Sequence, residues 1–369
     1  MVTTKAAVIE SAGAPFTLRE VELEDPRPNE VLVRIDAASL CHTDLAVAAG
    51  YIPFPLPGVL GHEGAGVVER VGSAVTHVRT GDRVVLSYTS CGHCTACVSA
   101  HPAYCLTWQR DNLIGGSRTD GSSAVRMDGK PIGSHFFGQS CFARHAVVDA
   151  RSAVKVDEDV PVELLAPLGC SVQTGTGAIW NTLRPEFGST VVVLGLGAVG
   201  LSAVMAATLS PAGSVIAVGR KRSQLELATK LGATHTINSA EEDLGAALRE
   251  LTGGEGVNYA VEATGSTKVL RTAVDSLAVR GAVAVIGAPP MGDEVSLDVH
   301  VLMSGRQVVG VVEGDTDPHR YLPVLARLVG EGRLPVSTLI REYPFSDIDK
   351  AVRDVQAREV IKPVLRLDA

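Results

Sequence analysis

The densest chemistry in the sequence is four cysteines within fifteen residues, Cys91, Cys94, Cys97 and Cys105, in the spacing C-x2-C-x2-C-x7-C. A loop with two-residue gaps can wrap its thiolates around one ion at tetrahedral angles, and four sulfurs close the shell against water and substrate. The spacing therefore predicts a structural zinc that ties down a lobe. Two rival readings stand beside it. Unpaired buried cysteines rarely cluster this densely. An iron–sulfur run shares the first spacings but brings its fourth cysteine after three residues and ahead of proline, whereas Cys105 follows a gap of seven and precedes Leu106. His93 and His101 read as surface residues of the lobe. With Cys41, Cys141 and Cys170 the chain has seven cysteines, an odd number whose crowding in a reducing compartment points to metal rather than disulfides.

Three other segments hold metal-binding residue types: Cys41-His42-Thr43-Asp44, Gly61-His62-Glu63-Gly64 and Gly169-Cys170-Ser171. Singly, each has a bland alternative, since a lone cysteine after a strand is more often a small buried residue and a lone histidine a hydrogen-bonded structural one.

A third constellation is an apolar run, Val191-Val192-Val193-Leu194, leading into Gly195-Leu196-Gly197-Ala198-Val199-Gly200. This GxGxxG turn, placed between a buried strand and a helix, permits a tight bend, close approach of backbone to a pyrophosphate, and close helix packing. About twenty residues on, where an acid would bind both ribose hydroxyls of NAD, stands Gly219, followed by Arg220, Lys221 and Arg222. Loss of the acid removes repulsion toward a 2'-phosphate, and the three bases supply donors for it. The expectation is NADP favoured over NAD; the alternative is a solvated basic loop.

Elements must hold these groups in place. Short strands broken by Gly and Pro are predicted over 6–9, 30–38, 64–71 and 83–86, followed by a long surface loop over 108–139. From 190 the pattern alternates strand and helix through 286, which predicts a doubly wound parallel sheet. A helix over 321–330 and a strand over 360–367 read as a tail returning to the first domain. The uncharged run 187–219 is cut by Gly188, Gly195, Gly197, Gly200, Pro211 and Gly213, so it reads as two buried strands around a helix rather than a membrane span.

The 369 residues exceed the usual size of one core, and 46% apolar content can fill two. A net charge of -8 gives no basic footprint for nucleic acid or an anionic membrane, leaving small molecules as expected partners. The first fifteen residues, with Lys5 and Glu10, lack the pattern of a secretory signal and predict a cytoplasmic address.

The three metal-type segments, in this order around the cysteine lobe and followed by the glycine turn, resemble the zinc-containing medium-chain alcohol dehydrogenases over nearly the whole chain. Gly61-His62-Glu63-Gly64-Ala65-Gly66, His135-Phe136-Phe137-Gly138-Gln139-Ser140 and Gly169-Cys170-Ser171-Val172-Gln173-Thr174-Gly175 look most like bacterial benzyl (aryl) alcohol dehydrogenases and enzymes for allylic primary alcohols.

The resemblance implies two zinc ions per subunit. Cys41, His62 and Cys170 would hold the catalytic one, leaving a coordination position for alcohol, and the four-cysteine lobe the structural one. It implies that Asp44 orients His62, that Glu63 lies behind the metal, and that Thr43 takes the alcohol proton. A relay histidine known in the family is replaced by Ala46. Cofactor contacts implied in the same way are His42 and Lys362 near the pyrophosphate, Thr174 beside the nicotinamide, and the Ile286-Gly287-Ala288 backbone along its carboxamide. Tyr51, Tyr88, Trp108 and Phe137 are candidates for an apolar substrate wall.

The expected architecture is α/β, with a Rossmann domain over 172–313 and a β-rich, GroES-like catalytic domain built from 1–171 and 314–369. The expected assembly is a homodimer, with a tetramer as the next alternative. The expected reaction interconverts a primary, aromatic or allylic alcohol and its aldehyde. Two readings compete: a thiol-adduct dehydrogenase of the formaldehyde type, whose basic pocket edge would come from Arg110 or Arg118, and a zinc- and cofactor-binding sensor without chemistry.

Overall fold

A computed structural model describes residues 1–157 and 159–367 of the chain. It contains two compact units, one made of Met1–Cys170 with Asp317–Ala369, the other of Ser171–Thr316.

In the first unit, β1 (Val2–Ile9) pairs antiparallel with β2 (Phe16–Leu23) along its whole length. The central strand β3 (Glu30–Ser39) buries Val31, Leu32, Val33 and Ile35 while Arg34 is exposed, so most of the strand is covered on both faces. Directly behind it α1 (His42–Ala48) begins at Cys41, where the Asp44 carboxylate accepts the Cys41 backbone N–H. β4 (Gly58–Val59) pairs with β1. β5 (Gly64–Val71) pairs with β3, and β6 (Arg83–Leu86) with β5. β7 (Val125–Met127) and β8 (Lys130–Pro131) extend the first sheet. β9 (His145–Asp149) pairs with β3, and β10 (Ala153–Lys155) with β6.

The second unit alternates β11 (Thr190–Leu194), α2 (Ala198–Thr208), β12 (Ser214–Gly219), α3 (Arg222–Lys230), β13 (His235–Asn238), α4 (Leu244–Leu251), β14 (Val257–Glu262), α5 (Thr267–Asp275), β15 (Leu277–Val285) and β16 (Gln307–Gly310). The sheet order β13-β12-β11-β14-β15-β16 is parallel throughout, which is the Rossmann order. Its core packs Val192, Leu194, Ile216 and Val218 of two central strands against Leu248, Ala273 and Val274 of the helices. The uncharged run 187–219 is thus β11, α2 and β12, and among the described residues no helix is long and apolar enough to cross a membrane.

The chain then returns to the first unit through α6 (Pro318–Gly330), β17 (Ile340–Pro344), α7 (Ile348–Gln356) and β18 (Lys362–Arg366). β18 lies antiparallel on β3, with Val364 opposite Ser39.

The stretch 108–139 corrects an expectation. It is not a surface loop: it holds a helical turn over Gln109–Ile114 and strands β7 and β8, and it buries Asn112, Arg118, Phe136 and Phe137. Polar side chains satisfied inside the fold explain the weak periodicity. Asn112 bonds both the N–H and the carbonyl of Thr89, and Arg118 makes a fork on Glu30 and a third bond to Glu24.

Candidate metal and cofactor sites

Three turns bring the metal-type residues of the first unit together. Cys41 caps α1, His62 follows β4, and Cys170 follows a helical turn over Ala166–Gly169. Ligand atoms of Cys41, His62, Glu63 and Cys170 all lie within 4.8 Å of one another. His62 is fully buried; its Nδ1 lies 3.0 Å from Asp44 Oδ1, while its Nε2 is buried with no hydrogen-bond partner. In the neutral ring this contact places the proton on Nδ1 and the lone pair on Nε2, the form a metal requires. Asp44 also accepts the backbone N–H groups of Cys41 (2.9 Å) and Gly61 (3.1 Å), so one carboxylate ties together two of the segments.

The charges around the cluster favour the thiolate at Cys41 and, at His62, the protonated ring whose Nε2 proton a metal must displace. The hydrogen bond from the Cys170 thiol, opposed by burial and aided by the Lys362 and His62 charges, holds Cys41 well below the usual thiol range. Burial works against a charged His62, but the Asp44 carboxylate outweighs it and holds the imidazole well above its ordinary value. Glu63 is engaged from behind: its Oε2 accepts from Ser39 Oγ and pairs with Lys362 Nζ at 2.6 Å. A buried nitrogen without a partner, beside two sulfurs of which one is already biased to thiolate, fits a Cys2His zinc set.

The second cluster is the lobe. The sulfurs of Cys91, Cys94, Cys97 and Cys105 also lie within 4.8 Å of one another, with Cys94 to Cys97 at 3.5 Å, and none is bridged as a disulfide. Backbone N–H groups of Cys91 and Cys94 point at Cys105 Sγ and Cys91 Sγ, both at 3.3 Å. Amide hydrogen bonds from the Leu106 and Cys97 backbone draw Cys94 down to about 6, while burial and the Cys94 neighbour push Cys97 up to about 12. His93 turns its Nδ1 to the Cys91 carbonyl and, like His101, lies outside the sulfur cluster.

In the second unit, the turn after β11 puts Gly195 at φ +96, and a Cβ on Gly200 would overlap the Gly195 carbonyl oxygen. Side chains at either position would open the turn and lift α2 from the strand. Nothing lies within 4 Å of where a Cβ on Gly197 would stand, which leaves that backbone approachable.

Comparison with known proteins agrees with this geometry. The alcohol dehydrogenase GroES-like domain family matches residues 27–158, and the zinc-binding dehydrogenase family matches residues 198–330. The chain is 40% identical to geraniol dehydrogenase of Castellaniella defragrans, covering 99% of this chain and 98% of the relative. It belongs to the zinc-dependent medium-chain alcohol dehydrogenases. Among solved structures, a zinc-binding alcohol dehydrogenase domain protein from Burkholderia ambifaria superposes with a TM-score of 0.97 at 47% identity, each chain covered in full. Benzyl alcohol dehydrogenase from Acinetobacter calcoaceticus superposes at 0.95 with 43% identity and 99% of each chain covered. The protein is therefore an oxidoreductase with a GroES-like and a Rossmann domain.

Other predicted residues of the dehydrogenase fall as follows. Thr43 is half-buried, its Oγ1 3.8 Å from Cys41 Sγ; Ala46 stands one turn on without a polar group, and His42 is exposed. In the second unit, Thr174 Oγ1 reaches Glu313 Oε2 at 3.4 Å, and the Ile286 and Gly287 N–H groups bond the Glu262 carbonyl. Ala288 is exposed. Gly219 closes β12 under Leu196, and a Cβ there would stand 2.8 Å from Leu196 Cδ1. Arg220 and Arg222 are exposed and Lys221 half-buried beside it.

Lys362, expected near the pyrophosphate, is 2% exposed and bonds Glu63 and the Leu40 carbonyl. Burial alone would discharge it, but Glu63 and Cys41 keep the ammonium charged. Arg118 cannot edge a pocket, because its guanidinium is buried on Glu24 and Glu30.

Of the aromatic candidates, Phe137 stacks on the His62 ring at 4.4 Å and Trp108 meets Phe137 edge-on at 5.6 Å. Tyr88 is buried and Tyr51 is 81% exposed. Sequence reasoning missed Ser39, Ser87 and Gln139 as parts of the site. Their one signal was a polar side chain at the end of, or next to, an apolar run.

Proposed function

We propose that this dehydrogenase interconverts a primary aromatic or allylic alcohol and its aldehyde, with NADP preferred over NAD, one zinc at Cys41, His62 and Cys170, and a second in the four-cysteine lobe. The observation that carries the reading is the buried, unpartnered Nε2 of His62 among the Cys41 and Cys170 sulfurs with Thr43 close by. When bound, zinc polarises the alcohol hydroxyl and lowers its pKa, and the nicotinamide takes the hydride.

The chain's own residues do the rest. Asp44 fixes the His62 ring and the Cys41 turn. Thr43 Oγ1 would accept the alcohol proton while its own hydroxyl proton passes on toward solvent, water or another group completing the transfer in place of the relay histidine that Ala46 replaces. Lys362 and Ser39 hold Glu63 behind the metal residues. The half-buried Trp108, edge-on to the buried Phe137 that stacks on His62, offers apolar surface near the site for a substrate with a π-system. Two relatives named for geraniol and benzyl alcohol support that class. NADP preference rests on Gly219 and the bases after it. The thiol-adduct reading loses support with Arg118 buried and Arg110 paired to Asp111.

The test is an assay of the purified enzyme with benzyl, cinnamyl, geranyl and short aliphatic alcohols, using NAD+ and NADP+ separately. Benzyl, cinnamyl or geranyl alcohol with NADP+ is expected to give the highest kcat/KM. Equal or better turnover with NAD+ would overturn the cofactor choice, and preference for short aliphatic alcohols would overturn the substrate class. Metal analysis is expected to return two zinc per chain, and sedimentation a homodimer.

A further inference from the structure

Asp44 joins the Cys41 and His62 segments. A second bridge reaches the segment that carries Cys170. Gln139 is buried, and its Nε2 donates both hydrogens, one to the His62 carbonyl at 2.9 Å and one to the Ser87 carbonyl at 3.0 Å. Its Oε1 accepts the Gly64 N–H at 3.3 Å. These three partners fix the amide orientation, since a flipped group would set oxygen against two carbonyls. Ser87, also buried, continues the bridge: its Oγ donates to the Gly169 carbonyl at 2.7 Å, one residue before Cys170. Gly169 is pressed so closely on the end of β6 that a Cβ would overlap the Leu86 carbonyl oxygen.

We propose that Gln139 and Ser87 are positioning residues that clamp the His62 and Cys170 segments to each other and so set how tightly the Cys41, His62 and Cys170 site holds its metal. The inference rests on the ligand assignment made above. Both side chains are uncharged, so they add rigidity without competing for the ion's charge. Removing either takes a hydrogen bond from buried carbonyls: those of His62 and Ser87 in one case, that of Gly169 in the other. The segments relax by small shifts, and a metal site tolerates only a few tenths of an ångström. Neither residue is a ligand or touches the reacting atoms.

The experiment uses the full-length holoenzyme with Gln139→Met, which keeps the length of the side chain, and Ser87→Ala, the milder change chosen to fold if the first does not. Zinc release to a chromophoric chelator is followed in time, and the cobalt-substituted proteins are compared by their thiolate-to-cobalt absorption. We expect one of the two metals per chain to leave roughly 10- to 100-fold faster in both variants, the cobalt bands of that site to shift, and the lobe metal to stay at the parental rate. Parental release rates and spectra in both variants would overturn the clamp, as would faster loss confined to the lobe metal. His62→Ala serves as reference: if it leaves both metals in place, the ligand assignment is wrong and the clamp falls with it, whereas loss of one metal in His62→Ala with unchanged Gln139→Met and Ser87→Ala sinks the clamp alone.

Discussion

Gly219 is the position where one side chain should decide between two cofactors. The close Leu196 Cδ1 is the far end of a flexible side chain, so an added carboxylate can be accommodated by a rotamer change. In Gly219→Asp the new charge would repel a 2'-phosphate and bind ribose hydroxyls instead. The ratio of kcat/KM for NADP+ over NAD+ is expected to fall roughly 10- to 100-fold, the value of one or two charged hydrogen bonds; an unchanged ratio would show that the basic run does not read the cofactor. Thr43 carries a second prediction. Thr43→Val keeps the shape and removes the proton acceptor, so kcat should drop by roughly 10^2- to 10^4-fold, while Thr43→Ser retains most of it. Retained turnover in the valine variant would overturn Thr43 as the proton acceptor. At this scale the sequence was legible for cysteine and histidine, whose chemistry is narrow. It gave no sign that Lys362 is buried, because the partner that draws the ammonium inward, Glu63, stands far away along the chain and no local pattern announces it.

Elements with strong periodicity were readable to the residue: β5 and β6 have the bounds that hydrophobic patterning predicts. The stretch 108–139 was not, because its order comes from side-chain pairing across distant elements, which leaves no period in the sequence. Arg118 makes the point, since it links this stretch to the start of β3 through Glu30. Burial alone would raise the Glu30 pKa, but hydrogen bonds from His135 and Arg118 bring it down to about 2 from an ordinary 4.5. A carboxylate depressed in the folded state stabilises it fully above the unfolded value and loses that contribution as pH falls toward the folded one. The window is therefore from about pH 4.5 down to about 2, and the contribution at neutral pH is on the order of 3 kcal/mol. Glu30→Gln should lower the denaturation midpoint at pH 7 and flatten the decline of stability across that window. A parallel decline in parent and variant would mean that the Arg118 fork gives no net stability.

For the whole molecule, the order of the chain and the order of its units differ. Every proposed metal ligand falls in Met1–Cys170, the glycine turn and the basic run fall in Ser171–Thr316, and the final strand belongs to the first unit again. The return was legible in the text because alternation stops and a lone apolar strand remains, although β17 and α7 gave no separate signal. Hydrogen exchange of the intact protein can read this arrangement. Stripping the metal should raise exchange in peptides covering 39–48, 58–64, 84–106 and 165–170, where the ligands and their supports lie. The same treatment should loosen 360–367, because β18 pairs with Ala37, Ala38 and Ser39 while Lys362 bonds the Leu40 carbonyl and Glu63. NADP+ added to the holoenzyme should instead protect 193–201, 217–225 and 284–289, by the linkage that stabilises whatever a ligand binds. If the tail keeps its protection while 39–48 opens, Lys362 is a bystander to the metal residues, and the buried pair it forms with Glu63 serves the sheet alone.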